Sequence, residues 1–236
     1  MPACLELGAV QQRWVVGVCL GLSASSSLCR ALARSGLVRG EEFGVGVVSV
    51  FVSVSADGVM QGPGRVDEDS RGGFRHGGWG VGYGDEVVGR FVGGMGRAAA
   101  MLFGRRSYDD LLGYWTSVTE PNPFTEVLVN SPKYVASRQG GARLDHPNST
   151  LLAGEAAGTV ARLKGEVDGV IRVLGSGELV RSLHAAGLVE EYILLVHPIV
   201  LGSGTRLFGE GERADLALRE AITTTTGVLI ARYRVK

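Results

Sequence analysis

Met101-Leu102-Phe103-Gly104-Arg105-Arg106-Ser107-Tyr108 is the stretch that decides the fold. A short apolar run suited to a buried strand meets a glycine, which lets backbone approach a ligand closely, and a helix then opens with two arginines and a serine. Free N–H groups and the positive dipole end of such a helix suit a phosphate. Arginine adds bidentate hydrogen bonds, and Ser107 is a hydroxyl donor or simply the helix cap. The same residues also describe a capped helix with solvated arginines, and spacing alone leaves both readings open.

A second junction repeats the pattern. Ile171-Arg172-Val173-Leu174 runs into Gly175-Ser176-Gly177-Glu178-Leu179, again a strand delivered to a glycine turn that opens a helix. Two such junctions suit a ligand with two or three phosphates. A third element, Lys133-Tyr134-Val135-Ala136-Ser137-Arg138, ends a strand in Ser-Arg, either a partner for a ribose phosphate or an ordinary edge strand ending in a solvated arginine.

Working outward, residues 45–55 alternate with period two, Val48, Val50, Val52 and Val54 against Ser49, Phe51, Ser53 and Ser55, and start the domain as a strand. Gly58 to Gly84 holds ten glycines with Phe74, His76, Trp79 and Tyr83 among them, a long loop of the kind that carries function and could close as a lid. Trp79, Phe74 and Tyr83 either stack on a planar substrate or pack the loop onto the body. Helical patterns cover residues 85–95, 106–112, 155–164 and 178–186, the last ended by Gly187. Strand patterns cover 98–103, 126–130, 134–137, 150–152, 170–174 and 192–196, and 221–225 with 228–233 read as a closing hairpin. Strands alternating with helices imply an α/β domain: a mostly parallel central sheet flanked by helices, with an antiparallel C-terminal hairpin.

Across the 236 residues, 24 basic groups balance 24 acidic ones, so no global field favours nucleic acid or an anionic membrane. Cys4, Cys19 and Cys29 all fall in the first thirty residues, leaving the rest without a disulfide framework or a cysteine-based zinc site and pointing to a reducing cytoplasm. His76, His146, His184 and His197 lack the spacing that places two imidazoles on one metal, and no metal is expected. Residues 1–43 differ in character, with an apolar stretch from Trp14 to Leu22, a serine-rich run to Ser27, then Arg30, Arg34 and Arg39. The apolar core is far short of the ~20 residues that span a bilayer, and the segment reads as a disordered or artefactual extension ahead of a domain at 44–236 rather than a cleaved secretory signal.

Taken together and in this order, Ser55-Ala56-Asp57-Gly58, Phe74-Arg75-His76-Gly77-Gly78-Trp79, the two glycine junctions, Lys133 to Arg138, Val189-Glu190-Glu191-Tyr192 and Pro198 to Gly204 resemble the dihydrofolate-reductase-like superfamily, and within it the stand-alone relatives of the riboflavin-biosynthesis reductase domain. The resemblance runs from about Val47 to Arg234. It implies NADPH as cofactor, with Gly104, Arg105, Arg106 and Ser107 on phosphates, Ser137 and Arg138 on the 2′-phosphate, the backbone of Gly175, Ser176, Gly177 and Glu178 on the pyrophosphate, and Leu179 also against the cofactor. It implies hydride transfer beside the first strand to a C=N or C=O of a small substrate, pteridine- or ribosylaminopyrimidine-like, and a homodimer. Asp85, Trp79 and Asp57 are the catalytic candidates; Asp85 is also a natural dipole partner for its helix, Asp57 a turn former with Gly58, and His76 a further proton donor. The His-x-Glu and Pro-Cys-x-x-Cys signature of a fused deaminase is absent. A dinucleotide-binding protein without turnover and a dihydrofolate reductase proper are the alternatives.

Overall fold

The computed structural model describes residues 46–119 and 123–236; the expectation for residues 1–43 lies outside them. Eight strands form one sheet in the order β4-β3-β2-β5-β1-β6-β8-β7. They are β1 (Val47–Ser55), β2 (Ala100–Gly104), β3 (Lys133–Ser137), β4 (Ser149–Ala153), β5 (Val170–Leu174), β6 (Glu191–His197), β7 (Leu216–Thr223) and β8 (Leu229–Val235). Pairings from β4 through β6 are parallel. β8 runs antiparallel to both β6 and β7, so the sheet matches the expected class.

The alternation in β1 sends its two faces into different cores. Val48, Val50, Val52 and Val54 pack against Val160 and Leu163 of helix α4 (Ala156–Leu163) and Leu179, Val180 and Leu183 of α5 (Gly177–Ala185). On the other face, Phe51 stacks on Phe91 of α1 (Glu86–Gly93) with ring centroids 6.2 Å apart. Further along that face, Met101, Phe103, Leu174 and Val135 pack with Tyr108 and Leu112 of α2 (Arg105–Ser117) and Leu128 of α3 (Pro123–Asn130). Phe103 has no exposed surface, and its truncation to alanine is expected to cost about 3–5 kcal/mol.

One element differs from expectation. Residues 126–130, read as a strand, belong to helix α3. Pro123 presets the first-turn dihedral, and Phe124, Val127 and Leu128 follow helical spacing onto the core. The fully buried Lys133 closes the helix from outside its span, donating to the carbonyls of Leu128, Val129 and Ser131 at 2.8, 2.9 and 2.8 Å. A short apolar run alone does not separate strand from helix. The hairpin strand β7 also starts earlier than expected, at Leu216, with an irregularity between Leu218 and Glu220.

The glycine-rich loop has its own small core of Val59, Phe74 and Trp79 against Ile199 and Leu201. Gln61 ties it down, its amide donating to the carbonyls of Asp69 and Arg71 while its oxygen accepts from Thr205 N–H at 2.9 Å.

Candidate functional site

Parallel pairing of β2 with β5 brings the two glycine junctions side by side at the carboxyl end of the sheet, where ligands of open α/β sheets bind. They are fastened to each other. Gly104 N–H donates to Ser176 Oγ at 2.8 Å, Ser176 N–H donates to Ser107 Oγ at 3.0 Å, and Ser176 Oγ donates to the Leu174 carbonyl at 3.1 Å. Gly175 (φ 57°) and Ser176 (φ 59°) are both left-handed, easy for glycine and unfavourable for serine by about 1 kcal/mol. The Ser176 side chain is therefore a staple between junctions rather than a phosphate ligand, whereas the Ser107 hydroxyl, used here only as an acceptor, keeps its proton to donate.

A cleft of about 1620 Å³ opens along this edge, and every residue assigned to the cofactor lines it: Gly104 to Ser107, Ser137 and Arg138, and Gly175 to Leu179. Arg138 is exposed and has no hydrogen-bond or ion-pair partner among the described residues. Arg105 is held by Asp109 one turn along α2 at 2.7 Å, and Arg106 lies 3.4 Å from Glu178. Beside Ser137 sits a fourth junction that sequence reading passed over, Gly154-Glu155-Ala156, where β4 turns into α4 and also lines the cleft. Its strand and helix were both legible; the pairing of β3 with β4, which carries Gly154 N–H to the Ser137 carbonyl at 2.9 Å, was not.

The catalytic candidates separate. Asp85 lines the cleft, but its carboxylate is committed: Oδ1 accepts from Val88 N–H at 2.9 Å as the N-cap of α1, and Oδ2 accepts from Thr225 N–H and hydroxyl, each at 2.7 Å. Those donors, Val88 N–H foremost, hold its carboxyl below the usual range, which suits a cap and not an acid. Trp79 is buried, donates Nε1–H to the Gln61 carbonyl at 2.7 Å and does not line the cleft; of its two readings, packing the loop is the one the geometry gives. Asp57 likewise stays outside the cleft and pins the 198–204 segment, accepting from Ser55 Oγ, Leu201 N–H and Gly202 N–H at 2.7, 3.0 and 2.9 Å. Led by the Ser55 hydroxyl, these donors pull its pKa down to about 2.

The far part of the cleft is different in character. Along α2, at 1.5 Å per residue, Asp110 stands about 6 Å and Trp115 about 13 Å beyond Arg106. Asp110 pairs with Arg65 at 2.5 Å, and the guanidinium also lies over the Tyr114 ring at 4.5 Å. Glu68 Oε2 accepts from the N–H groups of Gly64 and Arg65 at 2.5 and 3.1 Å, and burial, aided by Asp110, pushes its carboxyl up. Leu111, Trp115, Phe124, Val88 and Val92 supply apolar walls. Behind Gly64 a smaller chamber of about 240 Å³ shares Phe51, Ser53 and Val88 with the cleft and is also lined by Tyr83 and His197. Among the described residues no three His, Cys, Asp or Glu side chains are grouped to hold a metal ion, and no helix is long and apolar enough to cross a membrane.

The model of the RibD C-terminal domain matches residues 47–230. The chain belongs to that family. The RibD C-terminal family is one of NADPH-dependent reductases with the dihydrofolate-reductase-like fold. Uncharacterized protein YyaP of Bacillus subtilis is 31% identical over 137 residues, covering 56% of this chain and 72% of its own. Among solved structures, a pyrimidine reductase-like protein of Corynebacterium diphtheriae aligns with TM-score 0.51 and 11% identity over 81% of this chain and 92% of its own. The Enterococcus faecalis dihydrofolate reductase, complexed with NADP(H) and RAB-propyl, aligns with TM-score 0.53 and 9% identity over 82% and 98%. The reductase–deaminase of Thermotoga maritima aligns with TM-score 0.54 and 13% identity over 81% and 57%. At these identities the solved structures share the fold.

The residues of this RibD C-terminal domain fit a dinucleotide on their own geometry. Gly104 and Gly175 let the two turns pack closely, since a Cβ on Gly175 would come to 3.4 Å from Ser107 Oγ and one on Gly104 to 3.5 Å from Ser176 Oγ. Two helix N-termini converge there with Arg105, Arg106 and Arg138, the last without a partner among the described residues, around them.

Proposed function

We propose that this chain is an NADPH-dependent reductase of a C=N or C=O bond in a small planar substrate, pteridine- or ribosylaminopyrimidine-like. The observation that carries the reading is the convergence of two stapled glycine junctions and Ser137-Arg138 on one cleft. NADPH, when bound, supplies the hydride. The chain's own part is to bind and orient. Helix N-termini of α2 and α5 with Arg105 and Arg106 would take the pyrophosphate, Arg138 and the Ser137 hydroxyl would take the 2′-phosphate, and Val52 and Ser53 of β1, which line the cleft, would flank the reacting ring. The apolar walls of α1, α2 and α3 exclude water from that end.

Fluorescence titration of the purified chain with NADPH and NADH, followed by loss of NADPH absorbance over a panel of imine and carbonyl heterocycles, tests the reading. NADPH is expected to bind more tightly than NADH, and Arg106→Ala to weaken both by removing a pyrophosphate contact. Equal affinity for the two cofactors refutes the assignment of Ser137-Arg138. Tight NADPH binding with no oxidation over the whole panel, dihydrofolate included, favours a binding protein without turnover, a reading that the engaged carboxylate of Asp85 supports.

A further inference from the structure

We propose that Arg71 of the glycine-rich loop is a further phosphate-binding residue of the cofactor seat, and that the Glu178 carboxylate holds the place of the pyrophosphate until the cofactor displaces it. This assignment rests on the cofactor reading and adds to it a residue and an exchange of partners at the same seat.

Glu178 lies in the first turn of α5, where the helix dipole favours negative charge. One of its oxygens, Oε1, is shared by guanidiniums from two different elements. Arg106 Nη1, at the start of α2, stands 3.4 Å from it, and Arg71 Nη1, from the loop, 3.5 Å. Two arginines gathered on one anionic oxygen at a helix N-terminus are placed as they would be around a phosphate oxygen. All three residues line the cleft beside both glycine junctions. Their side chains are more than half exposed, so each ion pair adds little to stability and is readily exchanged for a stronger one.

Arg71 is held ready for that exchange. Its carbonyl accepts from the amide of the buried Gln61 at 2.9 Å, and its N–H donates to Asp69 Oδ1 at 3.1 Å. Its Nε and Nη2 donate to the two oxygens of Asp69 at 2.8 and 2.5 Å. That pairing uses one edge of the guanidinium, fixes its plane and leaves Nη1 to face α5. The root of the loop is also seated on the second junction, since a Cβ on Gly177 would come to 2.7 Å from Met60 Sδ. Arg71 is thus the residue through which the loop can touch a ligand bound at the two turns.

A pyrophosphate carries more negative charge than one carboxylate, so both arginines gain by moving from Glu178 onto it. Glu178 is then left beside a like charge and turns toward solvent, to which its side chain is already 66% exposed. Arg71 therefore acts for cofactor affinity and Glu178 against it, and their substitutions have opposite signs. Two solvated surface ion pairs with no part in binding would give no effect at either residue.

Calorimetric titration of wild type, Arg71→Ala, Arg71→Lys and Glu178→Gln with NADP⁺ and with inorganic pyrophosphate tests this. Arg71→Ala is expected to weaken NADP⁺ about tenfold, the equivalent of one hydrogen bond to a charged group, and Arg71→Lys to recover part of the loss. Glu178→Gln is expected to tighten NADP⁺ about threefold at low salt, with the gain shrinking as salt is raised. Pyrophosphate should follow the same order. Hydrogen exchange read by mass spectrometry should show NADP⁺ slowing exchange over residues 64–73 in wild type and not in Arg71→Ala. Unaltered NADP⁺ affinity in Arg71→Ala, or affinity unaltered or weakened in Glu178→Gln, overturns the proposal. Failure of NADP⁺ to bind wild type, while pyrophosphate binds and responds to both substitutions as expected, would instead strike the cofactor reading and leave the anion seat in place.

Discussion

Replacing Ser176 by alanine removes the staple between the two glycine junctions and little else. Gly104 N–H loses its acceptor at 2.8 Å and the Leu174 carbonyl its donor at 3.1 Å. An ordinary internal hydrogen bond contributes about 1 kcal/mol net, and a partly buried donor left without acceptor raises the loss, so Ser176→Ala should cost about 2–3 kcal/mol. For a domain of this size that lowers Tm by roughly 4–12 °C. Ser176→Gly loses the same bonds but escapes the left-handed penalty of about 1 kcal/mol, so stability should fall in the order Ser, Gly, Ala. Ser107→Ala breaks the same chain of bonds from the other side by leaving Ser176 N–H unpaired. The double variant should therefore lose less than the sum of the two, with a coupling of about 0.5 kcal/mol or more. Urea unfolding measures the four stabilities, and NADPH titration should show both single variants weakened about tenfold, because the two helix N-termini no longer hold one spacing. An unchanged Tm together with unchanged NADPH affinity in Ser176→Ala would refute the idea that the junctions act as one seat.

Other outcomes follow from the same geometry. Arg138→Ala, at an exposed guanidinium with no partner in the described chain, should leave Tm unchanged and weaken NADPH by about 1.5–3 kcal/mol, roughly 10- to 150-fold, with NADH unaffected in parallel titrations; equal loss for both cofactors would contradict it. Lys133→Met strips donors from three carbonyls at the end of α3 and should destabilise by about 3 kcal/mol, seen as a Tm drop of roughly 6–12 °C. The pKa of Asp57 lies at about 2 in the folded chain against an ordinary 3.8. Its stabilisation is fully present above the ordinary value and is lost as pH falls through the folded one, so the unfolding curves of wild type and Asp57→Asn should converge between those two values.

Strand-glycine-helix order was enough to find the two junctions that line the cleft, because each is written in one continuous stretch, as in Phe103 to Ser107 or Leu174 to Leu179. What one stretch does not contain is its neighbour. Nothing local to Ser176 says that its hydroxyl will meet Gly104 N–H, 72 residues away, or that Gly154 will stand beside Ser137. The catalytic candidates were harder for a related reason: Asp57, Trp79 and Asp85 are residue types that suit chemistry, yet each is used up by backbone groups of Leu201, Gln61 and Val88. Arg71, in contrast, hides in a glycine-rich loop between Arg65 and Arg75, and only the approach of that loop to α5 distinguishes it from them.

The strand order has a consequence for how the chain is made. β1 emerges first in the domain, yet both of its neighbours, β5 and β6, come from beyond residue 169. Until then its parallel edges stay unpaired, and β2, which joins the sheet beside β5, has no place to dock against β1. Long-range parallel pairing of this kind folds slowly and exposes sticky edges while it waits. Chains released or cleaved before β5 would carry the first arginine junction without the strand that completes it, so the two glycine turns meet only when synthesis has passed residue 174.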